Sequence, residues 1–163
     1  MTTPSVATPL SRLMLLFSVL YLSFGAASPF LPAYLESRGL AAEELGIVFA
    51  SATAIRLIAA PIVGRIADLF GALRLALAIA TGAAAAAALL YLSATSFYII
   101  LVVSLIQAAA LAPSNNLADA LALLASKDKS GAGFEYGWVR GAGSAAFIVG
   151  SIIAGVTISV YGL

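Results

Sequence analysis

The chain has 163 residues, of which 63% are hydrophobic and only 9% charged, about a third of the charged fraction of an ordinary soluble domain. Eight basic residues against seven acidic ones leave a net charge of +1, which excludes a basic field able to hold a nucleic-acid backbone. Cysteine and histidine are absent, so disulfides, thiolate nucleophiles, the common zinc sites and the usual general base are removed together, and neither enzymology nor a metal or cofactor is expected.

A helix needs about 20 mostly apolar residues to cross the hydrocarbon core of a bilayer, and five nearly charge-free runs meet that length. The first is Leu13 to Leu35, uncharged but carrying Pro29 and Pro32, so its far end should bend or unwind. The second, Leu45 to Ala67, is apolar except for Arg56 near its middle and Arg65 at its end. The third, Leu75 to Leu92, contains the alanine run Ala83 to Ala88. The fourth, Phe97 to Ala125, carries Asn115, Asn116 and Asp119 in its second half, and the fifth runs from Trp138 to Tyr161 with Arg140 near its start. The expected fold class is all-α, a polytopic transmembrane bundle of about five spans forming one domain over residues 1–163.

Loop charges set the orientation. With the amino terminus cytoplasmic, Arg12, Arg65, Arg74, Lys127 and Lys129 all fall at cytoplasmic ends and only Arg38 lies outside. A cleavable leader ending at Ala26-Ala27-Ser28 is disfavoured, because the apolar run continues past the supposed cut. Ser126 to Glu135 is a hydrated connection within the bundle, and no repeat or low-complexity linker interrupts the chain.

Between spans two and three stands Gly64-Arg65-Ile66-Ala67-Asp68-Leu69-Phe70-Gly71-Ala72-Leu73-Arg74. Gly64 would allow close helix approach, Asp68 would accept hydrogen bonds, Gly71 would permit a tight turn and Arg74 would anchor the next helix. A plain charged loop obeying the positive-inside rule is the bland alternative. The spacing resembles the loop signature of the major facilitator superfamily, a glycine, an aspartate four residues on, a glycine three further and then basic residues, between the same two spans. Leu69 stands where a basic residue is usual, and Arg74 is what remains of the basic cluster. By resemblance, Gly64, Asp68, Gly71 and Arg74 form a latch that stabilises the outward-open state.

Four further stretches carry a narrower resemblance: Phe24-Gly25-Ala26-Ala27-Ser28-Pro29-Phe30-Leu31-Pro32, Ile55-Arg56-Leu57-Ile58-Ala59-Ala60-Pro61, Asp119-Ala120-Leu121-Ala122-Leu123 and Tyr136-Gly137-Trp138-Val139-Arg140-Gly141-Ala142-Gly143-Ser144. They look like the phenylpropionate-permease-like branch, whose resemblance implies proton-linked import of small organic acids, nucleosides or sugars. Trp138 stands where that branch has an arginine. Proton-coupled members often carry an arginine in span four three residues before a glutamine; here the glutamine is Gln107 and the corresponding residue is Ser104. No proline follows Pro113, so the glycine-proline signature of drug/proton antiporters is missing from span five and import is favoured over export.

Ionisable groups within a membrane are costly unless paired or hydrated. Arg56 lies near the midplane and too far along its helix to snorkel easily, which favours a cationic contact for an anionic solute. Asp119 and Arg140 are shallower and could pair as a salt bridge tying spans four and five; the alternative is that Asp119 exchanges a proton or meets the solute. Asn115 or Asn116 shares a helix face with Asp119, and Gln107 lies more than two turns further along. These side chains either line a water-filled path or bond one helix to another. Gly143, Gly150 and Gly155, with Ala146 and Ala154, read as close-packing residues rather than ligands.

A major facilitator has two six-helix halves with the solute site between them, and this chain supplies five spans. A fragment of a longer carrier ranks first, ahead of a half-transporter that assembles with another chain or copy and of a membrane protein that no longer transports. The functional expectation is a secondary active transporter, or part of one, in the plasma (inner) membrane, moving a small organic solute by proton symport and alternating access. The rival is a non-transporting helical subunit that stabilises or regulates a partner.

Overall fold

A computed structural model describes residues 9–127 and 134–162. Among them there are six helices and no strand: α1 (Pro9–Ala27), α2 (Leu31–Ser37), α3 (Ala42–Leu69), α4 (Leu73–Leu90), α5 (Phe97–Ser126) and α6 (Tyr136–Tyr161). All but α2 are long and apolar enough to cross a membrane. A third or less of each such helix is buried within the chain, so most of its surface is left for lipid or for further helices. The hydroxyls of Ser23, Thr53, Thr81 and Thr157 donate to the carbonyl one turn back in their own helices. Such bonds remove the cost of carrying a hydroxyl into hydrocarbon.

The first apolar run divides where the prolines predict. Ser28, Pro29 and Phe30 form a turn between α1 and α2, because Pro29 lacks an N–H and disfavours helical geometry at the residue before it. Pro61 and Pro113, by contrast, sit inside continuous helices, as transmembrane helices tolerate. The other boundaries move by no more than four residues from the apolar runs. At 28 and 30 residues, α3 and α5 are about 42 and 45 Å long, more than the hydrocarbon thickness, and must tilt or project.

Two glycines end helices in the same way. Gly71, at φ +60°, donates to the Asp68 carbonyl at 3.2 Å while Ala72 donates to Ala67 at 2.9 Å. Gly39, at φ +90°, donates to Glu36 at 2.8 Å while Leu40 donates to Leu35 at 3.4 Å. Each is a Schellman stop in which a left-handed glycine turns the chain and satisfies the last carbonyls. Buried Leu35 and Leu40 supply the accompanying apolar pair at the second. At the start of α3 the Glu44 carboxylate accepts the Ala41 N–H at 2.9 Å, half of a capping box, since alanine has no side chain to return the bond.

The chain divides into two compact units, residues 1–33 with 122–163, and residues 34–121. In the first, α1 packs along α6 with almost no space between the backbones. A Cβ on Gly25 would strike the Phe147 carbonyl, 2.9 Å from its carbon, and one on Gly150 would strike the Leu22 carbonyl, 3.1 Å from its carbon. A Cβ on Gly143 would meet the Tyr21 ring at 3.1 Å, and one on Gly155 the Phe30 ring at 3.4 Å. The Ser151 hydroxyl donates to the Gly25 carbonyl at 3.0 Å. Small residues here let dispersion act between whole backbones, the main attraction open to helices in lipid.

In the second unit the helices bury faces of helical period. Leu45, Val48 and Ala52 of α3 are buried, as are Leu77, Ala80, Ala84 and Ala87 of α4 with Tyr91 just beyond it. Ile100, Val103, Ser104 and Ala108 continue the pattern on α5. The alternating steps of three and four residues keep each set on one side of its helix, so only Ala84 and Ala87 of the alanine run face inward.

Candidate functional site

The residues singled out from the sequence fall into three places. The turn residues lie at the α3–α4 connection. Asp68 is exposed in the last turn of α3, Gly71 makes the Schellman stop, and Arg74 is exposed in the first turn of α4. Nothing described lies within 4 Å of a Cβ built on Gly64, so the close approach expected there is made instead at Gly25, Gly143 and Gly150.

On α5, Gln107 and Asp119 are half-buried and Asn116 is exposed. The Oδ1 of Asn115 is buried without a hydrogen-bond partner among the described residues. Its neighbours Pro113 and Ser114 are fully enclosed, and the Ser114 hydroxyl points back to the Ala110 carbonyl at 3.5 Å. Asn115 and Asp119 are four residues apart on a continuous helix, which places them on one face. Asp119 and Arg140 belong to different compact units. Arg140, near the start of α6, donates to the Tyr21 hydroxyl and lies 5.2 Å from that ring's centroid. Tyr21 in turn stacks on Phe17 at 6.0 Å, so the cation rests on an aromatic column of α1. The hydrated connection expected over Ser126 to Glu135, including Lys129, lies mainly outside the described residues.

Arg56 is the third place. It is the fifteenth of the 28 residues of α3, about 20 Å from either end, and its side chain is exposed. Among the described residues it makes no hydrogen bond. The short Phe70–Ala72 connection makes α3 and α4 antiparallel neighbours.

Tyr91 is itself held at both ends. Its backbone carbonyl accepts a hydrogen bond from the Tyr34 hydroxyl at 3.2 Å, and its own hydroxyl donates to Ser104 of α5 at 2.9 Å in a buried bond. Arg38 donates to the Tyr34 hydroxyl at 2.8 Å and packs 5.1 Å from the centroid of the same ring. Tyr91 and Ser104 are 7% and 4% exposed, so their mutual bond satisfies two groups that water cannot reach. The sequence reading missed Tyr34 and Tyr91 and noticed Ser104 only as a departure from an expected arginine. A tyrosine closing the apolar run of α4 was the available signal, and it does not say which way its side chain points.

The arrangement is a set of polar groups carried by apolar helices, with the exposed Arg56 near the middle of α3. Among the described residues no group of acidic side chains is placed to hold a metal. No curated protein and no solved structure matches the chain. The model of the MFS_1 like family does match, over residues 10–163, that is, over all five long helices and both glycine stops. The chain is thus an integral membrane protein of the MFS_1 like family, a group of major facilitator transporters.

Proposed function

We propose that the chain forms part or all of a secondary active carrier for a small organic acid, working by alternating access and driven by proton symport. Arg56 carries this reading. An exposed guanidinium with no hydrogen bond among the described residues, midway along a membrane-spanning helix, is too costly to leave against lipid and is best accounted for by a water-filled path along which an anion travels. Asp119, with Asn115, Asn116 and Gln107 on the same helix, would form the proton-linked side of that path, and Arg140, in the other compact unit, would offer a cation of its own to a solute or proton. Asp68 and Arg74 would gate the end of the path at the α3–α4 turn with Gly64 and Gly71 shaping that turn. The amino terminus would be cytoplasmic in a plasma (inner) membrane, the 163 residues would act as one transmembrane domain, and the rest of the site would come from further helices, whether of the same polypeptide, another chain or another copy. The organic-acid branch suggested by the sequence supports the choice of solute.

Uptake of labelled benzoate, nucleosides and sugars into proteoliposomes, with and without an inward proton gradient, tests this reading. Gradient-dependent uptake of the acid that is lost in Arg56→Ala with normal insertion is the expected result. Uptake unchanged by that substitution would remove Arg56 from the path. Absence of flux from inserted, folded protein would favour the non-transporting subunit.

A further inference from the structure

We infer that Tyr21 of α1 and Arg140 of α6 form one carboxylate site, in which the phenol both holds the guanidinium and donates its own hydrogen to the same anion; the inference rests on the reading of Arg140 as a cation offered to the solute. The phenol is fixed before any ligand arrives. Its ring stacks on Phe17 at 6.0 Å and 9° between planes, and Phe17 is fully buried. Phe24 stands tilted against it at 6.2 Å, one turn further along α1. On the α6 side its edge lies over Gly143, where a Cβ would stand 3.1 Å from Cδ2 and 3.3 Å from Cγ. The glycine therefore leaves the space that the ring fills. All of these residues belong to the same compact unit, whose α1–α6 seam holds the two backbones in register at Gly25 and Gly150.

Arg140 precedes Gly143 by three residues, which puts both on one face of α6. Its Nη1 donates to the Tyr21 hydroxyl, and its guanidinium carbon lies 5.2 Å from the centroid of the ring. A long side chain that is exposed is thus tethered twice, by a hydrogen bond and by the face of an aromatic ring. The phenol oxygen accepts that bond, so its one hydrogen remains to be donated. The oxygen is also neutral and leaves the charge of Arg140 in place. A guanidinium N–H and a phenol O–H then stand side by side, matching the two oxygens of a carboxylate. A neutral amide has one carbonyl oxygen and no charge to offer them. Because ring and cation are already ordered, an anion binding here sacrifices little further side-chain freedom.

The test is equilibrium binding of benzoate and of its neutral isostere benzamide to the full chain in phosphatidylcholine nanodiscs, for the unaltered protein and for Arg140→Ala, Tyr21→Phe and Arg56→Ala. Tyr21→Phe keeps the stack on Phe17 and the ring under Arg140 and removes only the hydroxyl. It should weaken benzoate binding about tenfold and leave benzamide unchanged, while Arg140→Ala abolishes the preference for benzoate. A purely structural role for Tyr21 would weaken both ligands alike, and that outcome overturns the inference. So does unchanged benzoate binding in Tyr21→Phe when Arg140→Ala has lost it, which leaves the role of Arg140 standing. If Arg140→Ala binds benzoate normally, the reading of Arg140 falls and this inference with it; loss in Arg56→Ala alone would then keep the reading of Arg56. An unaltered chain that does not prefer benzoate removes both.

Discussion

Replacing Gly25 by alanine tests the α1–α6 packing most sharply, because its two consequences have opposite signs. Alanine is the better helix former by roughly 0.8–1.0 kcal/mol, so a Gly25→Ala chain whose helices did not touch would gain stability. In the structure the added Cβ lies 2.9 Å from the Phe147 carbonyl carbon and 3.0 Å from its Cα, whereas carbon atoms pack at about 3.5–4.0 Å. The carbonyl oxygen is closer still than either carbon and all of these atoms are backbone, so no rotamer change relieves the clash and the helices must part by about 1 Å or more. A gap of that size forfeits about half of each dispersion contact along the seam and stretches the Ser151 bond to the Gly25 carbonyl. The net expectation is a loss of about 1–3 kcal/mol. Unfolding in mixed micelles, followed by helical circular dichroism, measures it. Gly141→Ala, on α6 with nothing within 4 Å, serves as the control and should be neutral or slightly stabilising. Gly25→Ala and Gly150→Ala combined should cost less than their separate costs together, since parting the helices for one makes room for the other. If Gly25→Ala is as stable as Gly141→Ala, the close seam between α1 and α6 is wrong.

Other substitutions address the turns and the polar groups. Gly71→Ala must place a Cβ at φ +60° and should destabilise by about 1 kcal/mol, with Gly71→Asn recovering part of the loss, as read by the same unfolding measurement. Tyr34→Phe removes the link from Arg38 to the Tyr91 carbonyl; a loss of about 0.5–1.5 kcal/mol is expected, with faster hydrogen exchange in the 91–94 turn, and unchanged exchange would show that the bond is not formed. Arg56→Lys keeps the charge but not the planar fork and should retain part of the benzoate uptake that Arg56→Ala loses. Asp119→Asn should leave benzoate binding measurable while abolishing its dependence on the proton gradient; gradient-driven uptake that survives would exclude Asp119 as the coupling group.

The apolar runs by themselves determined that five helices span a membrane, because a bilayer admits few other structures for so uniform a sequence. Local chemistry set most of their ends: Pro29 breaks the first run, and Gly71 stops α3 because it tolerates a backbone geometry that side chains resist. Both effects act within a few residues, so they can be read before any contact is known. The small residues Gly143 and Gly150 likewise marked α6 as a packing helix. That Gly143 meets Phe17 and Tyr21 and Gly150 meets Leu22 and Ala26, all on α1 and more than a hundred residues away in sequence, depended on which helices meet and in what register. The same holds for Tyr91, which the sequence does not single out and which is fixed between Tyr34 and Ser104. Among helices of nearly uniform hydropathy, burial of apolar surface discriminates little between one face and another. Tertiary structure decides through backbone proximity and the few hydrogen bonds that only one arrangement can satisfy.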